Sequence, residues 1–140
     1  MMTRKEAREF MMQVFFQMDA GGSFDVDDKA KYFSGFTDKG QEKYCSEMFS
    51  VMCNKKDEID RIITENMRGW TLSRMPKTDL AVLRVAVCEM AYMKGIPATV
   101  SINEAVELSK RYGTEESHSY VNGILAGVYK ELEKQEAEEQ

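Results

Sequence analysis

With 140 residues, 43% of them hydrophobic, the chain is sized for one domain with a proper core, and no second domain is expected. The formal charge of −5 gives no general attraction for nucleic acid, but residues 130–140 hold five glutamates against Lys130 and Lys134, a net −3 that leaves −2 for the body. Any basic surface must therefore be local, and the global charge neither requires nor excludes a phosphate-bearing partner.

The first helix starts at Thr3, which with Glu6 forms a capping box, and carries Ala7, Phe10, Met11, Val14, Phe15 and Met18 inward until Gly21 and Gly22 end it. A second, shorter helix is expected from Asp25 to about Ser34, with Ala30 and Phe33 inward. Tyr44, Cys45, Met48, Phe49, Val51 and Met52 mark a third between Asp38 and Cys53. Ile59, Ile62, Ile63, Asn66 and Met67 mark a fourth, or a continuation of the third across a kink at Asn54 to Asp57. Gly69 to Pro76 is a connector; Pro76 disfavours helix at Met75 and suits the first turn of the next helix.

From Leu80 to Met93 only Arg84 and Glu89 carry charge, so this helix has apolar residues on nearly all sides and is the expected centre of the fold. Gly95, Ile96 and Pro97 end it. Ile102, Ala105, Val106 and Ser109 then step at helical spacing up to Gly113, and Val121, Ile124, Leu125 and Val128 resume the pattern on a last helix. The fold class is all-α, about seven helices around a long apolar central helix, with residues 1–134 as one domain and 135–140 as an acidic, disordered tail. No run approaches the roughly 18 apolar residues that span a bilayer, and the N-terminus mixes Arg and Glu where a signal peptide would not. Cys45, Cys53 and Cys88 contain no CxxC pair and fall in apolar helical patterns, so a cytoplasmic protein with reduced core thiols and no membrane partner is expected.

Arg4, Lys5 and Arg8 cluster on the expected outer side of the first helix and suit a track of phosphates, although Glu6 and Glu9 are interleaved and an ordinary solvated face is the commoner outcome. Tyr112 and Tyr120 bracket the turn from Gly113 to His118. Beside Lys110 and Arg111 they suit stacking on unpaired bases, and equally suit half-buried caps on the core. Ser117 or Ser119 can cap the last helix, with Glu115 and Glu116 near its positive end. His118 is the sole histidine, with no cysteine or second histidine nearby, so no metal site is expected there. Gly123 and Gly127 each cost about 1 kcal/mol inside a helix, for which close approach of another helix is the simplest compensation. Met12 and Phe16 follow Arg8 on a line that diverges from the core stripe and read as an exposed patch for a protein partner or, nearly as readily, as an extra contact to a second helical layer. Asp79 either caps the central helix or pairs with a basic partner. A Gly-rich phosphate loop, a nucleophile with a paired histidine and an HExxH motif are all missing from the sequence, so no reaction and no cofactor are expected, and a binding protein is favoured over an enzyme.

Several separated motifs carry a resemblance. They are Ala7-Arg8-Glu9, Trp70 to Arg74, Asp79 to Arg84, Ile96-Pro97, Ile102 to Leu108 and Ser117 to Leu125, the last two highly specific at their mutual spacing. On these the chain resembles the NusB family of transcription antitermination factors across almost its whole length. The resemblance implies two packed helical subdomains, three helices first and the remainder around the apolar helix. It implies a non-enzymatic adaptor that pairs with the small-subunit ribosomal protein NusE, binds single-stranded boxA RNA and helps RNA polymerase, within its antitermination complex, read through ribosomal RNA operons. Carried over by position, the RNA-facing residues are Arg4, Lys5, Arg8, Tyr112, Glu116 and Tyr120, with His118 counted alongside them from the same turn. The partner-facing residues are Phe16 and Asp79, with Met12 beside them. Phe16 stands where many relatives have a tyrosine, which removes a hydroxyl that could hydrogen-bond the partner; the basic start is shorter and diluted by Glu6, so weak RNA binding by the isolated chain is expected. Two other readings compete: a helical partner in ribosomal RNA processing or ribosome assembly, since a similar domain precedes certain ribosomal RNA cytosine methyltransferases, and a purely structural homodimer.

Overall fold

The computed structural model describes residues 1–69 and 71–139. Trp70, which belongs to the expected connector and to the motif ending at Arg74, and Gln140, the end of the acidic tail, lie outside the described residues. Among those described there are six α-helices and no strand: α1 (Arg4–Ala20), α2 (Lys29–Tyr32), α3 (Glu42–Glu65), α4 (Lys77–Tyr92), α5 (Ala98–Tyr112) and α6 (Ser117–Glu139).

α1 begins as its sequence predicts. The Glu6 amide donates to Thr3 Oγ1 at 3.1 Å and the Thr3 amide to Glu6 Oε1 at 2.8 Å, so two of the orphan donors at the helix start are satisfied. The count falls from about seven helices to six because the third and fourth segments join. α3 runs from Glu42 to Glu65, with a single non-helical residue, Lys55, at φ −124° and ψ 20° marking the kink. The segment after Asp25 is shorter than expected. The Asp25 carboxylate accepts from the Asp27 amide at 2.9 Å and starts a 3-10 turn, Val26–Asp28, that leaves one turn of α-helix in α2. Ala30 is accordingly exposed, while Phe33 packs with Phe10, Phe36 and Phe49 at centroid separations of 5.4 to 5.5 Å.

α4 is the hub, packed against α1, α3, α5 and α6, and every residue from Asp79 to Glu89 is buried. Its three charged residues in that stretch are neutralised or hydrogen-bonded inside the protein, as buried charge requires. Arg84 grips Asp60 of α3 through two bonds of 2.9 Å and lies 3.5 Å from Asp19 of α1. Glu89, 1% exposed, accepts from Arg8 of α1 at 2.7 Å, from Ser101 of α5 at 2.8 Å and from the Tyr44 hydroxyl of α3. Burial, with the Glu89 charge adding to it, raises the Tyr44 hydroxyl well above its ordinary range.

Glu89 also turns α5. The pattern predicts Ile102, Ala105, Val106 and Ser109 inward; the buried set is Ser101, Ala105, Leu108 and Ser109, with Ile102 and Val106 half-buried, because Ser101 is drawn onto the Glu89 carboxylate. α6 packs on α5 as a hairpin. Gly127 accommodates the Asn66 side chain at the end of α3, and a Cβ there would collide with it. Gly123, by contrast, has nothing within 4 Å of where a Cβ would stand, so close helix approach does not account for it. α6 continues through Glu139, with residues 133–139 exposed, in a run of Glu, Lys, Gln and Ala that favours helix.

Replacing Arg84 by Met removes the partner of a buried carboxylate and is expected to destabilise the protein by about 3–5 kcal/mol in urea unfolding at neutral pH. Adding Asp60→Leu to that variant should recover part of the loss. A midpoint unchanged by Arg84→Met alone would show that the pair does not carry the α3 to α4 contact.

Candidate nucleic-acid interface

Besides Glu6 of the capping box, the first two turns of α1 beyond Thr3 carry four charged residues, Arg4, Lys5, Arg8 and Glu9. They do not share an environment. Arg4 is exposed, with Nε donating to Gln41 at 2.8 Å and the guanidinium 4.1 Å from the centroid of the Tyr44 ring. Lys5 is exposed and lies 3.3 Å from Glu104 of α5.

Arg8 is 6% exposed, so the expected outward position is corrected: its guanidinium is committed to Glu89 beneath the surface. Met12, one turn on, is buried as well, and only Phe16, 41% exposed, remains of the expected Met-Phe patch. The reason is the width of the buried face. α1 buries Ala7, Met11, Val14, Phe15 and Met18 where it packs on α3 and α4, and the buried face extends over Arg8 and Met12 at its margin, where Glu89 offsets the charge.

Tyr112 closes α5 at 38% exposure, its hydroxyl bonded to Glu9 of α1. Arg111 reaches the other oxygen of Glu9 at 2.8 Å. Neither Glu9 nor Arg111 is among the sequence-derived site residues. In the sequence Glu9 is an acid interleaved in a helix face, and only the side-by-side placement of α1 and α5 shows what it joins. The turn beyond is held tightly. The Thr114 amide donates to Ser117 Oγ at 2.9 Å, and at Gly113 any Cβ would strike Ser117, so glycine is required by close approach. Glu116 stays exposed at the head of α6, its carbonyl accepting from the Ser119 amide at 3.2 Å, and His118 is half-buried. No cluster of three or more metal-ligating side chains occurs among the described residues.

Asp79 is 0% exposed and cannot meet a partner protein as the backbone stands, which corrects the partner-facing expectation. Its Oδ2 accepts from Ser117 at 3.0 Å and from the Tyr120 hydroxyl, so it fastens the start of α4 to the first turn of α6. Burial first, and then this bond, push the Tyr120 hydroxyl above its usual range. Two hollows open on either side of this junction. One, of about 330 Å³, is lined by Met12, Gln13, Phe16, Gln17, Thr78 and Tyr112; the other, of about 420 Å³, by Asn66, Met67, Arg68, Met75, Tyr120, Gly123 and Ile124. The structure therefore brings Lys5 and Tyr112 onto one seam between α1 and α5, joins Tyr112 to Phe16, and turns Tyr120 toward the second hollow.

This helical arrangement has known counterparts. The family model described as NusB family matches residues 5–130. The chain belongs to the NusB family. Proteins named transcription antitermination protein NusB are 38% identical over 135 residues in Finegoldia magna, covering 94% of this chain and 97% of that one, and 42% identical over 133 residues in Alkaliphilus oremlandii, covering 94% and 96%. The solved structure of NusB from T. maritima superposes with a TM-score of 0.84 at 31% identity, over 93% of this chain and 92% of that one. A structure of the antitermination factors NusB and NusE in complex with dsRNA shares the fold with a TM-score of 0.79 at 24% identity, over 91% and 96%. Family membership accounts for the all-α fold and agrees with the resemblance in the separated motifs.

Tyr120→Phe keeps the ring and removes one donor from the buried Asp79 carboxylate. It is expected to cost about 1–3 kcal/mol in urea unfolding. No change in stability would separate Tyr120 from the junction and return its hydroxyl to the surface.

Proposed function

We propose that this chain is a non-enzymatic transcription antitermination adaptor that pairs with the ribosomal protein NusE and binds single-stranded boxA RNA, promoting read-through of ribosomal RNA operons. The observation that carries the reading is the seam of α1 and α5, where exposed cations and the half-exposed ring of Tyr112 lie together beside the apolar hollow that holds Phe16. Phosphates need mobile cations and unpaired bases need an open aromatic face, and both are offered within two helix ends. The RNA set is then Arg4, Lys5, Tyr112, Glu116, His118 and Tyr120, with Arg8 supporting the surface from below.

Phe16 is the exposed apolar group of the partner face; Met12 forms its floor and Asp79 acts from beneath, holding the turn that begins α6. A body charge of −2 gives weak affinity alone, and a basic partner adds phosphate contacts without any new contact from this chain. Transcription antitermination is the role named for both curated relatives, and a protein of this fold is known in complex with NusE and dsRNA, which supports the partnership although the RNA proposed here is single-stranded.

Titration of a fluorescent boxA-like single strand, with and without the ribosomal protein, tests this. The pair is expected to bind more tightly than either component and to lose about tenfold or more in affinity between about 50 and about 200 mM salt, as a few phosphate contacts dictate. A pair that binds no better than its parts would sink the adaptor reading.

A further inference from the structure

The seam between α1 and α5 holds two ion pairs with opposite sense: Lys5 of α1 with Glu104 of α5 at 3.3 Å, then Glu9 of α1 with Arg111 of α5 at 2.8 Å. Each of these cations is thus matched by an acid from the facing helix. Glu9 has two partners. One oxygen takes the Arg111 guanidinium and the other the Tyr112 hydroxyl, and this second bond raises the tyrosine above its usual range.

The consequences for the two residues differ. The Arg111 side chain is 60% exposed and its guanidinium lies 5.3 Å from the centroid of the Tyr112 ring, so charge and ring face solvent side by side. An exposed ion pair is weakly held, because water screens it and two long side chains must be ordered to keep it. An RNA phosphodiester offers the arginine fork the same bidentate pair of oxygens that a carboxylate does, with the same single negative charge, and each phosphate bound releases condensed counterions from the RNA. Glu9 itself is 24% exposed and tied to Tyr112, so it stays behind when the arginine leaves.

We propose that Arg111 is a phosphate-binding residue of the RNA surface, held in reserve by Glu9, and that an RNA phosphate displaces the Glu9 carboxylate from it while the neighbouring Tyr112 ring receives a base. This rests on the RNA-binding reading and adds to it a cation that the sequence left unassigned and an acid that sets how strongly the surface attracts RNA. Glu9 acts as a positioning residue for Tyr112 and as a competitor for Arg111.

The test uses the full chain with its ribosomal partner and the fluorescent boxA-like strand. Glu9→Gln keeps an oxygen for the Tyr112 hydroxyl and removes the competing charge. It is expected to raise RNA affinity about threefold to tenfold and to steepen the slope of log K against log salt by about 0.7, the contribution of one freed contact on a single strand. Arg111→Ala should lower affinity and flatten the slope, and in that background Glu9→Gln should gain nothing. A gain that persists without Arg111 would reduce Glu9 to a general field effect and overturn the proposal, as would an unchanged affinity in Glu9→Gln. If the wild-type pair binds the strand and the variants match it, this inference alone fails; if the wild-type pair does not bind at all, the RNA reading fails and takes this one with it.

Discussion

One buried carboxylate joins four helices. Glu89 in the middle of α4 accepts from Arg8 of α1, Tyr44 of α3 and Ser101 of α5, and with 1% exposure it has no recourse to water. Such a group contributes little net stability against a well-packed apolar alternative, because desolvation offsets most of the attraction. Its effect is to restrict the packing. Any rotation of α1 or slide of α5 would strand a charge in the core, so the two helices meet α4 at one register, and that register sets Lys5 against Glu104 and Glu9 against Arg111 at the surface.

The other charges of α4 extend the same device. Asp79, Arg84 and Glu89 are spaced five residues apart, which at 3.6 residues per turn points them in three directions around the helix. Asp79 holds Ser117 and Tyr120 of α6, Arg84 holds Asp60 of α3 and approaches Asp19 of α1, and Glu89 holds α1, α3 and α5. A helix apolar on nearly every side has no preferred rotation from hydrophobic burial alone; three polar pins give it one. At the Asp79 end this matters for function, since Thr78 lines the hollow with Phe16 and Tyr112 while its neighbour secures Tyr120 on the other.

Helical periodicity, with the Thr3 and Glu6 capping box for the start of α1, is enough to read the all-α class and the centrality of α4, because these depend on spacing within one segment. The errors fall where the answer depends on a second segment. Arg8 and Met12 look outward on a helical wheel, and only Glu89, 81 residues further on, makes the arginine an inward group. Asp79 reads as a cap or a partner contact until Ser117 and Tyr120 close over it. The inward face of α5 is turned by a serine, a residue that no hydrophobic pattern selects. Tyr112 and Phe16 are each legible in the sequence, but as members of different sites, and their shared hollow comes from the packing of α1 beside α5. Gly123 keeps an open space beside Tyr120 for which packing supplies no reason.

The RNA surface proposed for this chain lies where α1, α5 and the start of α6 converge, and α4 holds that surface in place from beneath. Backbone amide shifts, followed by NMR as a boxA-like strand is added to the isotopically labelled protein in complex with its ribosomal partner, report on it residue by residue. The largest shifts are expected in residues 4–9 and 110–120, while α2 and residues 50–58 of α3 stay unmoved. Shifts concentrated on α2 and α3, with the α1 to α5 seam silent, would contradict this placement.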